Sequence, residues 1–227
     1  MYRTEQNSPS SQGAAPPGSV CGVAQRISLY RVLDVGLSLL ALLFLAPIFL
    51  FIAAVVRLQD GGPALFAHSR IGEGGRRFNC LKFRSMCLDS DARLHQLLVS
   101  DPQARIEWAR DHKLRRDPRI TPLGGFLRRS SLDELPQFLN VLRGEMSLVG
   151  PRPIVEAEIE RYGHYFACYC AIKPGITGLW QISGRNDVGY RRRVAMDVVY
   201  ARRRSVGLYL VILLATAPAV LLRRGAS

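Results

Sequence analysis

The stretch that decides the architecture is Val35-Gly-Leu-Ser-Leu-Leu-Ala-Leu-Leu-Phe-Leu-Ala-Pro-Ile-Phe-Leu-Phe-Ile-Ala-Ala-Val-Val56, which carries no charge. Its 22 residues would form a helix of about 33 Å, which is long enough to cross the apolar layer of a membrane. Pro47 removes the hydrogen bond to the carbonyl of Leu43 and predicts a kink near the middle. The run therefore predicts either a kinked span or a re-entrant helix that enters and leaves the same leaflet.

Basic residues flank this run on both sides. Arg26 and Arg31 precede it, and Arg57, Arg70, Arg76 and Arg77 follow it. Cytoplasmic segments next to a membrane carry the excess of Lys and Arg. A re-entrant helix keeps both flanks on that side, whereas a simple span cannot. We therefore predict a re-entrant membrane helix within residues 26–58, kinked at Pro47.

The rest of the chain divides into three parts. Residues 1–25 are rich in Ser, Gln, Gly, Ala and Pro, which predicts a disordered tail. Residues 59–205 show helical and strand patterns that predict one mainly helical α+β domain. Residues 206–227 contain a second uncharged run, which is marginal for spanning a membrane. It predicts a C-terminal helix that lies in the interface.

Within the domain, two extended runs around the glycine-rich segment Gly72–Gly75 predict a small β-hairpin, with strands at Pro63–Ile71 and Arg77–Phe83. Apolar periodicity and end signals predict helices at Asp89–Val99, Pro102–Lys113, Asp133–Leu142, Ile154–Tyr169 and Tyr190–Arg204. Two glycines in Ile176–Asn186 predict a loop or an irregular strand.

The net charge of +13 and the isoelectric point near 10.2 require negatively charged partners. The absence of zinc-finger spacing and of an aromatic-rich RNA-binding pattern disfavours nucleic acid. Two arginine triplets beside apolar segments, Arg191–Arg193 and Arg202–Arg204, indicate a surface that faces anionic membrane lipid. The five cysteines form no CxxC and argue against a disulfide framework, and the four scattered histidines predict no histidine metal site.

An acidic pair stands in Arg129-Ser-Ser-Leu-Asp-Glu-Leu-Pro136, at the predicted start of a helix. Arginines, including Arg128, and the free N–H groups of a helix start attract a polyanion. In this positively charged environment, Asp133 could be a nucleophile toward phosphorus, and Glu134 could hold a divalent cation. The alternative is a capping box, because Ser131 and Glu134 fit S-x-x-E.

Two further segments contain candidate phosphate ligands. In Lys82-Phe-Arg-Ser-Met86, the alternation of Lys82 and Arg84 on a predicted strand points both side chains to one face. In Pro151-Arg-Pro153 the prolines restrict the loop, so that Arg152 can bind phosphate bidentately. The alternatives are a charged strand edge for the first segment and a rigid surface turn for the second.

Together with Gly175-Ile-Thr-Gly-Leu-Trp-Gln-Ile-Ser-Gly-Arg185 and the kinked anchor, these segments resemble the bacterial sugar transferases, the monotopic polyprenyl-phosphate phosphoglycosyl transferases. The match keeps the same order from about Arg31 to the C-terminus. It implies transfer of a hexose 1-phosphate from a UDP-sugar to undecaprenyl phosphate, with release of UMP, as the first step of exopolysaccharide synthesis. It also implies an enzyme of the bacterial inner membrane with its catalytic domain on the cytoplasmic face.

The resemblance also implies roles for individual residues. Asp133 would be the nucleophile that forms an aspartyl phosphosugar, and Glu134 would assist the binding of Mg²⁺. Arg128 aligns with the family arginine five residues before the nucleophile. The implied substrate-binding residues are Lys82, Arg84, Arg128, Pro151, Arg152, Pro153 and Arg185.

The chain departs from the family pattern at two positions. Ala46 precedes the anchor proline where relatives often carry Ser, and Tyr209 stands where an Asp is usual. A non-catalytic membrane scaffold that binds anionic lipid or partner enzymes of glycan assembly is the alternative to an enzyme. Self-association is compatible with the short apolar segments, and glucose and galactose are the favoured sugars.

Overall fold

The computed structural model describes residues 29–111, 114, 116–184 and 188–221. The helices are α1 (Leu29–Asp60), α2 (Ser90–Ser100), α3 (Pro102–Asp111), α4 (Pro122–Ser130), α5 (Gln137–Arg143), α6 (Ile159–Tyr162), α7 (Phe166–Cys170), α8 (Leu179–Ile182), α9 (Tyr190–Arg203) and α10 (Val206–Leu221). The strands are β1 (Leu65–Ile71), β2 (Arg77–Phe83), β3 (Ser147–Val149) and β4 (Gly175–Thr177). The predicted tail at 1–25 lies outside the described residues. The protein is mainly helical with a small hairpin, as the sequence predicts.

Helix α1 runs for 32 residues through Pro47 and is long and apolar enough to cross a membrane. Its middle is exposed, and Leu43 and Phe44 have 74% and 81% of their surface accessible. The core helix of a soluble protein would bury such side chains, because exposed apolar surface of this extent is unfavourable in water. These features indicate a membrane protein, and the re-entrant path stays a prediction.

Both ends of α1 contact the same domain. Near its start, the Arg31 guanidinium donates hydrogen bonds to the carbonyls of Val141 and Leu142 at the end of α5. Near its end, Val56 is fully buried in a cluster that includes Phe83 of β2. The apolar middle of α1 therefore lies between two docked ends.

The predicted β-hairpin is confirmed. Strands β1 and β2 pair antiparallel, from Leu65 opposite Phe83 to Ile71 opposite Arg77. A short 3₁₀ turn at Glu73–Gly75 connects them. The hairpin lies next to α5, and this contact positions β2 relative to the acidic pair.

A second, parallel pair of strands was not predicted. Ser147 of β3 lies opposite Gly175 of β4, and Val149 lies opposite Thr177. The backbones are in close approach, since a Cβ added at Gly175 would lie 2.0 Å from the amide nitrogen of Gly150. Glycine is therefore required at position 175, where β4 lies against the start of the loop after β3.

Two helix predictions need correction, and one helix was missed. The helix predicted at Ile154–Tyr169 is broken at Gly163, whose positive φ of 51° interrupts regular helix between α6 and α7. The helix predicted from Asp133 begins as a 3₁₀ turn at Leu132–Glu134, and the regular helix α5 begins at Gln137. Helix α4 was not predicted from the sequence.

Helix α10 has one buried face and one exposed face. Tyr209 and Ile212 are fully buried in the main core cluster, whereas Val211 and Leu214 are 60% and 74% exposed. This face division fits a helix that packs on the domain and presents its other side to an apolar surrounding. Its location in the membrane interface stays a prediction.

Candidate active site

The acidic pair lies on the 3₁₀ turn between α4 and α5. Ser131 ends α4 in the left-handed region with φ of 58°, and its N–H donates to the carbonyl of Arg128 at 3.2 Å. The Ser131 side chain makes no capping hydrogen bond to the turn that follows. The capping-box interpretation is therefore wrong. The turn leaves Asp133 buried, with 7% of its surface exposed.

Lys82 lies beside both carboxylates. Its Nζ is 2.6 Å from Glu134 Oε1 and 3.6 Å from Asp133 Oδ2. The three side chains come from β2 and from the 3₁₀ turn before α5, which are far apart in sequence. The structure thus brings together three of the residues predicted to form the site.

The electrostatic environment of Asp133 is mixed. Burial, the largest effect, raises the pKa of the Asp133 carboxyl above its usual range, and the negative charge of Glu134 adds to this. The positive charges of Lys82, Arg128 and Arg152 act in the opposite direction. A buried carboxyl whose pKa is raised by burial and lowered by several nearby cations is typical of functional sites.

Arg128 reaches this site from the end of α4. Its Nε donates to Ser85 Oγ at 2.8 Å, and Ser85 is itself buried. The Ser85 carbonyl also accepts the N–H of Thr121, which caps the start of α4. The segment after β2 therefore fixes both ends of α4 and, with them, the position of Arg128.

A pocket opens next to the acidic pair. Its lining includes Arg70, Lys82, Glu134, Gln137, Arg152 and Gln181. Three of these side chains are cations and one is a carboxylate. Such an excess of positive charge suits a ligand that carries phosphate groups, because guanidinium and ammonium groups bind phosphate oxygens.

Arg70 is a site residue that sequence reasoning missed, because it was counted only among the charges that flank the anchor. Its Nη1 donates to the carbonyl of Pro153 at 3.2 Å and lies 3.9 Å from Glu158 Oε2. Burial and the nearby charge of Arg152 lower the pKa of the Arg70 guanidinium. Its place on β1 gave no signal of this contact, which depends on the fold of the Pro151–Pro153 loop.

The remaining predicted site residues lie in different parts of the structure. Pro153 lines the pocket, and the Pro151 carbonyl accepts the N–H of Gly175 at 2.8 Å. Arg84 follows the end of β2 and forms an ion pair with Asp60 at the end of α1. Arg84 does not line the pocket that Lys82 lines, and a shared face for the two side chains stays a prediction. Arg185 lies outside the described residues.

Tyr209, the departure from the family pattern, has a structural partner. Its hydroxyl donates to Asp34 Oδ1 at 2.8 Å, and the same oxygen accepts hydrogen bonds from Ser147 Oγ at 3.0 Å and the Leu148 amide at 2.8 Å. Asp34 belongs to α1 and is only 2% exposed. These bonds tie the anchor helix to β3 and α10. The charge of Asp34 at the edge of the apolar run was its only sequence signal.

The acidic pair is a suitable donor set for a divalent cation that is shared with phosphate. Among the described residues, no group of three or more His, Cys, Asp or Glu side chains could enclose a metal ion. Mg²⁺ at phosphate sites takes one or two carboxylates and completes its coordination with phosphate oxygens and water. Asp133 and Glu134 meet that requirement only together with a phosphorylated ligand.

An acidic pair with a buried Asp133, next to a basic pocket and attached to a long apolar helix, defines a membrane-associated protein whose site suits phosphate esters. The family model described as "Bacterial sugar transferase" matches residues 25–223 of the 227 in the chain. The chain therefore belongs to the bacterial sugar transferase family.

Curated relatives agree with this assignment. The "Exopolysaccharide production protein ExoY" of Sinorhizobium fredii is 50% identical over 195 residues, which cover 86% of each chain. The "Undecaprenyl-phosphate galactose phosphotransferase" of Salmonella typhimurium is 50% identical over 198 residues, or 87% of this chain and 41% of the relative. The "UDP-glucose:undecaprenyl-phosphate glucose-1-phosphate transferase" of Escherichia coli is 40% identical over 187 residues, or 78% of this chain and 37% of the relative. The chain thus spans most of ExoY but about two fifths of the longer relatives.

Proposed function

We propose that this protein transfers a hexose 1-phosphate from a UDP-sugar to undecaprenyl phosphate, releases UMP and thereby initiates exopolysaccharide synthesis. The proposal depends on one observation: Lys82 lies against both the buried Asp133 and the half-buried Glu134, at the edge of a basic pocket. The names of the relatives support the substrate classes, since they specify undecaprenyl phosphate together with galactose or glucose. We favour these two sugars for the same reason.

The reaction proceeds in two displacements. A carboxylate oxygen of Asp133 attacks the phosphorus next to the sugar, so that an O–P bond forms and the bond to the UMP oxygen breaks. UMP leaves with the electron pair of that bond. A phosphate oxygen of undecaprenyl phosphate then attacks the same phosphorus, and the Asp133 carboxylate is restored. One difficult transfer is thereby divided into two easier ones.

The neighbouring side chains stabilise the negative charges of the nucleophile and of the diphosphate. Lys82 favours the ionised form of Asp133, which is the nucleophilic form. Arg70 and Arg152 lie where they can bind the diphosphate, and Arg128 adds positive charge near the nucleophile. Glu134 would hold Mg²⁺, which when bound neutralises phosphate charge and stabilises the leaving group.

The proposed location is the cytoplasmic face of the bacterial inner membrane, with α1 as a re-entrant anchor. Support comes from the basic flanks of α1 and from the contacts that both of its ends make with the domain. At the junction of α9 and α10, the Arg204 guanidinium lies 3.9 Å from the centre of the Tyr30 ring, at the start of α1. Arg202 and Arg203 are exposed beside it and would bind anionic lipid head groups.

The experiment that tests the function is the detection of the covalent intermediate. Incubation of the purified protein with UDP-glucose or UDP-galactose alone should increase its intact mass by one hexosyl phosphate group. The increase should disappear when undecaprenyl phosphate is added, and Asp133→Asn should never show it. Confirmed turnover without such an adduct would refute the aspartyl mechanism. The alternative of a non-catalytic scaffold requires that no UDP-sugar yields UMP.

The pH dependence gives a second prediction. Attack requires the Asp133 carboxylate, and burial raises the pKa of this group. We therefore expect kcat/KM to fall, as the pH decreases, at a pH above the usual range for Asp. Lys82→Met removes the closest opposing positive charge and should move this acidic limb to higher pH. The measurement is the pH profile of UMP release.

The control for this profile is Arg93→Gln. Arg93 of α2 forms an exposed ion pair with Asp89, the residue before that helix, and neither residue lines the pocket beside the acidic pair. Its replacement should leave the acidic limb unchanged. An acidic limb that stays in place in Lys82→Met would contradict the proposed effect of Lys82 on Asp133.

A further inference from the structure

Strand β2 is paired with β1 on one side, and the side chain of Asn140 occupies its other side. The Leu81 amide donates to Asn140 Oδ1 at 2.9 Å, and Asn140 Nδ2 donates to the Asn79 carbonyl at 2.7 Å. These two bonds imitate the donor and acceptor of a neighbouring strand. One buried amide thus binds the backbone on both sides of Cys80.

The orientation of this amide is fixed. Asn140 is fully buried, and its Nδ2 also donates to Glu145 Oε2 at 2.6 Å. Both N–H groups and the oxygen of the side chain are therefore in use. A flipped amide would place N–H against N–H at Leu81 and oxygen against oxygen at Asn79 and Glu145. The site accepts the amide in one orientation only.

The position of this contact along the chain is important for the acidic pair. On β2, the residue after Leu81 is Lys82, whose ammonium binds Glu134 and lies near Asp133. On the other side, Asn140 belongs to α5, which directly follows the turn that carries the two carboxylates. The contact therefore joins the strand that carries the cation to the helix behind the anions. A shift of β2 by one residue would turn Lys82 to the opposite face.

We propose that Asn140 is a positioning residue for the transfer reaction, which holds Lys82 against Asp133 and Glu134 by binding the free edge of β2. The inference rests on the proposed function, because it assigns Asn140 an effect on the nucleophile through Lys82. Asn140 itself does not contact the reacting atoms. A purely structural role would affect stability alone, so the test must measure kcat separately from stability.

The test compares Asn140→Ala with Val141→Ala. The first variant removes all three hydrogen bonds of the amide. The second removes apolar volume at the next, equally buried position of α5 and leaves the amide intact. For Asn140→Ala we expect kcat to fall by about 10- to 100-fold, since small displacements of reacting groups have effects of that size. Val141→Ala should also lower the stability of the protein but should leave kcat near that of the wild type.

A double variant tests whether the effect passes through Lys82. In the Lys82→Met background, Asn140→Ala should cause no further fall in kcat, because the cation that Asn140 positions is already absent. If Asn140→Ala does not fold, Glu145→Ala takes its place, since it removes one of the bonds that orient the amide and should lower kcat in the same way, by a smaller factor. Glu145 is itself not a member of the pocket lining.

Two outcomes would overturn the inference. One is a folded Asn140→Ala protein, or a folded Glu145→Ala protein where the first does not fold, whose kcat equals that of the wild type. The other is an equal fall in kcat with and without Lys82. Both differ from a failure of the proposed function, in which the wild-type protein itself forms no adduct with the UDP-sugar.

Discussion

Replacement of Asp133 by Asn should abolish sugar-phosphate transfer and leave the protein folded. The amide has nearly the shape of the carboxylate but cannot form an acyl phosphate by the proposed displacement. Loss of a covalent nucleophile costs about 10⁴-fold or more in kcat in well-studied enzymes, and we expect a loss of that order here. Release of UMP from UDP-glucose or UDP-galactose, in the presence of undecaprenyl phosphate, measures the effect.

The stability of Asp133→Asn should be equal to that of the wild type or slightly higher. Asp133 is buried, and the environment raises the pKa of its carboxyl, so ionisation of this group opposes folding. The neutral amide removes that cost above the usual pKa of Asp. Asp89→Asn is the control, because Asp89 is an exposed carboxylate paired with Arg93 on α2. Full activity in Asp89→Asn together with substantial UMP release in Asp133→Asn would exclude Asp133 as the nucleophile.

The largest effect on stability is expected from Asp34→Ala. This substitution removes the acceptor of the Ser147 hydroxyl, the Leu148 amide and the Tyr209 hydroxyl, all in a buried environment. Each unpaired buried donor costs about 1–3 kcal/mol, and we expect a total loss of about 3–5 kcal/mol in the free energy of unfolding. Thermal unfolding of the detergent-solubilised protein measures the loss.

Two graded variants accompany Asp34→Ala. Tyr209→Phe removes one donor and leaves the other two bonds of Asp34 in place, so it should cost about 1 kcal/mol. Asp34→Asn keeps an acceptor oxygen, so its loss in the free energy of unfolding should lie between those of Tyr209→Phe and Asp34→Ala. If Asp34→Ala were no less stable than Tyr209→Phe, the carboxylate would not be the centre of this contact.

Much of the architecture could be predicted from local patterns. The apolar run and its basic flanks predicted α1, and the glycine-rich segment between two extended runs predicted the hairpin. The patterns failed where the structure depends on distant partners. Strands β3 and β4 have three residues each, too few for a periodic signal, and they pair across a long connection. The break at Gly163 was missed because a single glycine in a helical pattern is often tolerated.

In the candidate site, too, residues in local motifs could be predicted and contacts between distant segments could not. Asp133, Glu134 and Lys82 were found because their motifs keep a family order, and the structure places them together. Arg70 and Asn140 were missed, since their roles consist of hydrogen bonds to backbone groups that only the fold brings near. Ser131 was misinterpreted for a related reason. Its S-x-x-E spacing fits a capping box, but the chain takes a left-handed conformation there and ends the preceding helix.

The contacts of Asp34 have a practical consequence for work with this enzyme. A truncated protein that begins after Asp60 would lose the carboxylate on which β3 and α10 converge, and also the side chains of α1 that fill two core clusters. Water-soluble versions made by deleting the first helix should therefore misfold. Both ends of α1 are part of the catalytic body while its apolar middle is exposed, so we expect that purification of active enzyme will require a bilayer mimic from the first step.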